Sequence, residues 1–591
     1  MITTFVKKCA ECGEKRSAKN KLQKCSRCNS VRYCSKECQK THWAIHKAVC
    51  KEIVERQKAI ADAARLNDVF DVAVDYLRSR DLRRFESFIN ENLDVLNHQS
   101  EEFGRICLLY ACAELGYPQA AKMLLDKQAD TNIQTVEEVT PLYIACEKGF
   151  KDIVKMLLDK QANINIRKVN RVAPLYVACQ NGHKDIVKML LDKQADVNIQ
   201  TVEGATPLYI ACQKGHKDIV KMLLDKHADI SIHDVDGVIP LHVACSNCHK
   251  DIVKMLLDKQ ADVNIKSVLG ATPMYAACQY GHKDIVKMLL DKQADVNTQT
   301  VEGASFLHMA SQKGHKDIVK MFLDKHADVN IQSVDGVTPL SIACQQKHKD
   351  IVKMLLDKHA DVNIQSTKGV TPLYNSCQNG HKDILMMLLD KQAAISIQDF
   401  KGYTPLHIAC SNGHKDVVKV LLDKQADINI KNVDGATPLS IASQYGYKDI
   451  VKMLLDKQAD INIKDYKGRT PAYIACQQGH KDIVKMLLDK QADINVQVVG
   501  VTPLYMACHQ GQKDIVKMLL DNNADVNIQD NKGATPLYMA CQRGHKDIAK
   551  MLLDKQADIN IQTVEGATPL FMACQNGHKD ISELLRQHGA M

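Results

Sequence analysis

Residues 206–238 read TPLYIACQKGHKDIVKMLLDKHADISIHDVDGV, and near-copies of this stretch follow one another through most of the 591-residue chain. The opening Thr-Pro-Leu or a variant of it starts at Thr140, Ala173, Thr206, Ile239, Thr272, Ser305, Thr338, Thr371, Thr404, Thr437, Thr470, Thr502, Thr535 and Thr568. The step is 33 residues, shortened once to 32 before Thr502. Similarity at a fixed period is the mark of a stacked solenoid, in which each repeat covers the apolar face of its neighbour.

Each repeat divides into two helices and a tail. Thr206 suits a helix N-cap and Pro207 the first turn, where its missing N–H costs nothing. Leu208, Ala211 and Cys212 then share one face, and Gly215 supplies the left-handed residue that ends the helix. A second helix begins near His216-Lys217-Asp218, with Ile219, Val220, Leu223 and Leu224 as its apolar stripe. The tail is polar apart from spaced Ile and Val, and its Asp-Gly predicts a tight hairpin turn. The residues TPL, the Ala-Cys pair, GHKDIVKMLL and ADVN at Ala195–Asn198 together resemble the ankyrin repeat. The resemblance implies a mainly α fold, an α-solenoid of helix-loop-helix-hairpin units, with hairpins and first helices lining a concave face that binds a protein partner.

Ahead of the repeats, residues 9–50 read CAECGEKRSAKNKLQKCSRCNSVRYCSKECQKTHWAIHKAVC. The candidate metal ligands are Cys9 with Cys12, Cys25 with Cys28, Cys34 with Cys38, and His46 with Cys50. Two pairs have the Cys-x2-Cys spacing of a zinc knuckle, and two are four apart, so that one helical turn can aim both side chains at a metal. Eight ligands fit two closed tetrahedral zinc sites. About fifty residues with so few large apolar side chains need metal for most of their folding free energy, on the order of 10 kcal/mol per site. Closed sites leave no open position for water, which makes the zinc structural. His42 lies eight residues before Cys50 rather than four, so His46 is the better ligand.

The order of these pairs, with the surroundings Tyr33 to Gln39 and Trp43 to Cys50, resembles the MYND zinc finger. The resemblance implies interleaved ligation: Cys9, Cys12, Cys34 and Cys38 on one ion, and Cys25, Cys28, His46 and Cys50 on the other. It also implies that Gln39 and Trp43 contact short proline-containing peptides, often of Pro-x-Leu-x-Pro type. Trp43 has a second reading, as the packing centre of the small domain. The expected organisation is a finger at 1–51, a charged Ala-rich helical linker at 52–67, a degenerate capping repeat at 68–106, and about fifteen repeats over 107–591, the last of them a closing cap.

Charge and cysteine usage bound the function class. Residues 1–60 hold 15 Lys and Arg against 5 acids, whereas the whole chain carries +8. A basic finger raises nucleic-acid contact, as part of a transcription regulator, as an alternative partner; no aromatic platform accompanies the charge. Seven of the 22 cysteines lie between Cys9 and Cys50, and most others recur at the Cys212 position, as reduced packing thiols do. No apolar run approaches the ~20 residues of a membrane span, so the expectation is an intracellular protein, cytoplasmic or nuclear. Within a repeat, Lys184, Lys188 and Lys193 are expected to balance Asp185, Asp192 and Asp196, with Lys188 and Asp192 four apart on one helix.

Enzyme readings find little support. A lone Cys-x3-His, as at Cys212 and His216, would suggest a nucleophile and its base, but Gly215 places the two on different helices and the motif recurs from repeat to repeat. Phosphate loops, HExxH and Gly-x-Ser-x-Gly are absent from the sequence. Residues 51–591 leave no room for the SET domain of MYND-bearing methyltransferases, and the ligand order departs from that of a RING ubiquitin ligase. The chain therefore reads as a non-enzymatic interaction scaffold. Departures mark particular repeats: Cys248 and Lys347 replace the helix-ending Gly, Ser305-Phe306 replaces Thr-Pro, and Asn375-Ser376 puts polar groups at apolar positions. Hairpin-tip residues such as Val202 and Glu203, Val235 and Asp236, and Phe400 and Lys401 vary, while the second helices hardly change.

Overall fold

A computed structural model of the chain describes residues 23–24, 32–33, 36–100 and 104–591, with side chains from residue 51 onward. The chain divides into two compact units, Met1–Asp262 and Val263–Met591. Among the described residues the regular structure is 32 α-helices, one short 3-10 turn and one pair of two-residue strands. No helix among them is long and apolar enough to cross a membrane.

The N-terminal unit opens with β1 (Gln23–Lys24) and β2 (Arg32–Tyr33), paired antiparallel with Gln23 opposite Tyr33. Helix α1 then runs unbroken from Lys36 to Arg78. It starts inside the predicted finger, spans the predicted linker and ends within the degenerate repeat. Residues 55–65 are exposed on every side, as in a helix that bridges two modules through solvent. Further along, Phe70, Ala73 and Leu77 turn inward against Phe85 and Ile89 of α2 (Leu82–Glu91). Asp81 caps α2 by accepting from the Arg84 N–H at 3.1 Å, and Arg65 of α1 ion-pairs with Asp94. Helices α3 (Leu108–Leu115) and α4 (Pro118–Asp126) begin the regular repeats.

The repeat at 206–238 shows the local chemistry. Thr206 Oγ1 accepts from the Tyr209 N–H at 3.1 Å, and the first helix runs Pro207–Lys214 with Leu208, Ala211 and Cys212 buried. Gly215 follows at φ +79°, and a Cβ there would stand 2.5 Å from Cε1 of His249, so both conformation and space call for glycine. The second helix, Lys217–Asp225, buries Ile219, Val220, Leu223 and Leu224. Each such side chain contributes about 1.5–3 kcal/mol of transfer free energy. The expected hairpin is a single turn closed by two bonds, Gly237 N–H to Asp234 O at 3.0 Å and Asp234 N–H to Val238 O at 3.1 Å. Val235 and Asp236 keep negative φ and only Gly237 is left-handed, so this is a three-residue turn with a glycine bulge rather than a doubly left-handed one.

Three ladders join consecutive repeats in the N-terminal unit. Lys151, Lys184 and Lys217 reach forward to Asp185, Asp218 and Asp251 at 2.7–2.8 Å. Asn165 and Asn198 accept through Oδ1 from the N–H groups of Asp196 and Asp229 at 3.1 and 2.8 Å. At the tips, the Val235 N–H donates to Glu203 O at 2.9 Å. These rungs, with a further set in which Lys226 reaches back to Asp192 at 3.7 Å and Lys193 to Asp159 at 3.5 Å, correct the expectation of charges balanced within a repeat. Stacking sets the Lys of one repeat against the Asp of the next, a pairing that helical spacing within one repeat does not reveal.

The C-terminal unit repeats the plan from Pro273–Gln279 to the closing helix Lys579–Gln587. Its lysine ladder includes Lys283–Asp317, Lys316–Asp350, Lys415–Asp449 and Lys513–Asp547, at 2.7–2.9 Å. Lys347, like Cys248 in the N-terminal unit, keeps the left-handed conformation of the glycine it replaces, at φ 64° against 61°. This carries the expected strain of about 1 kcal/mol at each position. Ser305 still caps its helix, and Phe306 is buried and stacked on Phe322 at 5.9 Å, so one aromatic in each helix of that repeat fills the place of Pro and Leu. The polar pair is satisfied: Asn375 Nδ2 donates to Ser341 Oγ at 2.9 Å in the preceding repeat, and Ser376 Oγ donates to Pro372 O at 3.1 Å.

Candidate functional site

At the finger, the described residues include part of the predicted site. Cys38, Gln39, Trp43, His46 and Cys50 all lie on α1. His46 and Cys50 are one turn apart on that helix, as are Gln39 and Trp43, so each pair shares a face. Cys9, Cys12, Cys25, Cys28 and Cys34 lie outside the described residues. In sequence, Cys25 and Cys28 fall between β1 and β2, and Cys34 directly follows β2. A set of thiols and one imidazole in this order suits zinc, which when bound supplies a tetrahedral centre that holds the small domain together.

In the array, the Cys-x3-His groups take separate places. Cys212 is fully buried, and burial pushes its thiol well above the ordinary range, which removes thiolate character. His249, the partner position one repeat on from His216, donates through Nε2–H to Gln213 O at 3.2 Å and lies against Gly215. The histidine thus satisfies a carbonyl at the end of the preceding repeat's first helix and holds no thiol.

A second set of histidines was missed in the sequence reading. His308 and His407 stand where most repeats have Tyr, and both are buried. Nδ1 of His407 accepts from the Thr404 N–H at 3.2 Å and from Thr404 Oγ1 at 2.7 Å, while Nε2–H donates to Ala436 O at 3.2 Å. Ser305 and Val337 hold His308 in the same way. Desolvation lowers the pKa of His407 to about 4, so it is neutral under ordinary conditions. The signal available in the sequence was Leu-His in place of Leu-Tyr after Thr404-Pro405.

Hairpin tips make the accessible face. Val136, Val169, Val202 and Val235 in the N-terminal unit are exposed, and so are Val301, Val334, Phe400, Val433, Tyr466 and Val564 in the C-terminal unit. Glu203, Asp236 and Lys401 beside them are exposed too. Tip backbones bond from repeat to repeat, as Phe400 N–H to Lys368 O at 3.1 Å and Val433 N–H to Lys401 O at 3.0 Å. The side chains therefore carry no structural duty and are presented to solvent.

Comparison with known families agrees with this division. The family described as ankyrin repeats (3 copies) matches in overlapping stretches from 72–168 to 504–591, and the MYND finger family matches residues 9–50. Among curated proteins, SET domain-containing protein 14 of Caenorhabditis elegans is 38% identical over 55 residues. That match takes in 9% of this chain and 13% of the relative.

Proposed function

The chain belongs to the ankyrin-repeat family and carries a MYND-type zinc finger, two kinds of protein-interaction module, and from that premise we propose that it is a non-enzymatic scaffold bringing two proteins together. One partner docks a short proline-containing segment on the finger at Gln39 and Trp43. The other lies along the face formed by hairpin tips and first helices. The observation that carries this reading is the division of labour within the repeat: the thiols recurring at the Cys212 position are buried and the histidines recurring at the His249 position bond the preceding repeat, whereas a varied row of tip side chains is left in solvent. Two zinc ions on Cys9, Cys12, Cys34 and Cys38 and on Cys25, Cys28, His46 and Cys50 hold the finger. A site inside the cell, in cytoplasm or nucleus, fits the reduced thiols of both modules.

Trp43 is the single tryptophan of the chain, so its fluorescence reports on the finger in the full-length protein. Titration of the zinc-loaded protein with a Pro-x-Leu-x-Pro peptide is expected to give a saturable change that survives high salt and disappears with chelator. A response that collapses with salt would favour nucleic-acid contact by the basic finger. For the array, exchanging the tip residues of two repeats is expected to change which proteins the full chain captures, and an unchanged set would refute the role of the tips.

A further inference from the structure

Within the C-terminal unit, a cavity of about 340 Å³ opens between hairpin turns and first-helix ends over residues 403–469. Its walls include Tyr403, Tyr445 and Tyr466, with Asn432 and Asp434. Tyr466 occupies a tip position where most other repeats carry Val, and is 75% exposed; Tyr445 is 53% exposed. Tyr445 leans on Tyr447 at 6.2 Å between ring centres, and Tyr403 meets His407 edge-on at 5.8 Å, so two of the three rings are braced from behind.

The polar groups are unequally engaged. Asp465 is buried and fully used: it pairs with Arg469 Nε at 2.8 Å and accepts from the N–H groups of Lys467 and Arg469 at 3.0 and 2.8 Å. Asp434 is exposed and its carboxylate has no ion-pair partner among the described residues. Asn432 is buried, and its Oδ1 accepts from the N–H groups of Asp434 and Ala436 at 3.0 and 2.9 Å. Its buried Nδ2 lies beside the Tyr403 hydroxyl.

We propose that this cavity seats an arginine side chain of a protein partner, with the guanidinium against the exposed Tyr445 and Tyr466 rings and paired to the Asp434 carboxylate. The chemistry is specific: a planar cation stacks on aromatic faces and pairs with a carboxylate. Burial raises the pKa of the Tyr403 phenol, a hydrogen bond with Asn432 opposes the shift, and the nearby Asp434 carboxylate adds to it. Lys467 on the rim opposes a cation, and its removal tightens binding. The inference rests on the reading of the array as a protein-binding face and names the chemistry of one contact on it.

Fluorescein-labelled Gly-Ser-Arg-Ser-Gly, titrated into the full chain and followed by anisotropy, is the direct test. The citrulline counterpart, which keeps the shape without the charge, is expected to bind about tenfold more weakly. Tyr466→Ala and Asp434→Asn each weaken the arginine peptide by about fivefold, and Lys467→Ala strengthens it about twofold. Val202→Ala, at a tip in the other unit, leaves it unchanged. All four positions are exposed, so far-UV circular dichroism is expected to match the parent chain. Equal binding of the citrulline peptide, or indifference to both Tyr466→Ala and Asp434→Asn, overturns the proposal. If the peptide fails while tip exchange still alters the captured proteins, this contact falls and the array's wider role stands; if neither responds, both fall.

Discussion

Second helices and hairpin tips sit in the same 33-residue repeat, yet one layer is nearly constant and the other varies. The second helix meets its own copies on both sides: Lys184 needs Asp218 one repeat on, and Asp185 needs Lys151 one repeat back. A change there spoils a contact with a neighbour that has not changed. Tips are joined by backbone alone, as Val235 N–H to Glu203 O, so any side chain keeps the bond. Constancy thus follows from side chains that pack and pair with their copies, and freedom from main-chain bonds.

The sharpest way to break this contrast is to truncate one residue in each layer. Leu223→Ala in a second helix leaves a cavity and is expected to cost about 2–5 kcal/mol. Val235→Ala at a tip is expected to stay within about 0.5 kcal/mol. Hydrogen exchange over residues 207–238 of the full chain measures both, and similar losses at the two sites would end the distinction.

His407 ties a first helix to the hairpin beyond it, through Ala436 O, and adds a pH dependence. Its folded pKa of about 4 lies below the ordinary 6.5, so the unfolded chain takes up the proton first on acidification. The stability it contributes is complete above about pH 6.5 and is lost as pH falls toward 4, by about 3 kcal/mol. Exchange protection around 404–436 in His407→Gln is expected to lack that part of the acid sensitivity. An identical pH profile in parent and variant would show that the histidine is not held neutral.

Smaller effects sharpen the picture. Lys347→Gly and Gln194→Gly relieve left-handed residues at φ 64° and 61° and are each expected to stabilise the chain by about 1 kcal/mol, read as a raised urea midpoint. No gain at Lys347 would mean that its side chain offsets the strain. Smallest of all is Asp218→Asn, which removes one exposed rung beside Lys184. A slight loss at low ionic strength that vanishes in molar salt is expected.

Much of this is legible in the sequence. Caps at Thr206, the left-handed Gly215, the inward Cys212 and the free tips follow from short-range chemistry in which every partner lies within one repeat. The partners of Lys184, Asn198 and His249 were not legible, because each lies one repeat away and is set by how repeats stack. For the same reason Asn375-Ser376 read as a fault: Ser341, which satisfies Asn375, stands 34 residues earlier. In the finger, spacing gives the ligand types, while their assignment to two ions came from family resemblance.

The lysine ladder has a consequence for how such a chain can lengthen or shorten through its gene. Because each rung joins the same two positions in successive repeats, an in-frame gain or loss of one whole repeat rebuilds a rung already in use and needs no compensating change. Most copies are in this sense interchangeable modules for duplication and deletion. The Asn375–Ser341 junction is an exception, since a repeat inserted there would strand a buried amide, and it marks a boundary at which copy number is expected to stay fixed.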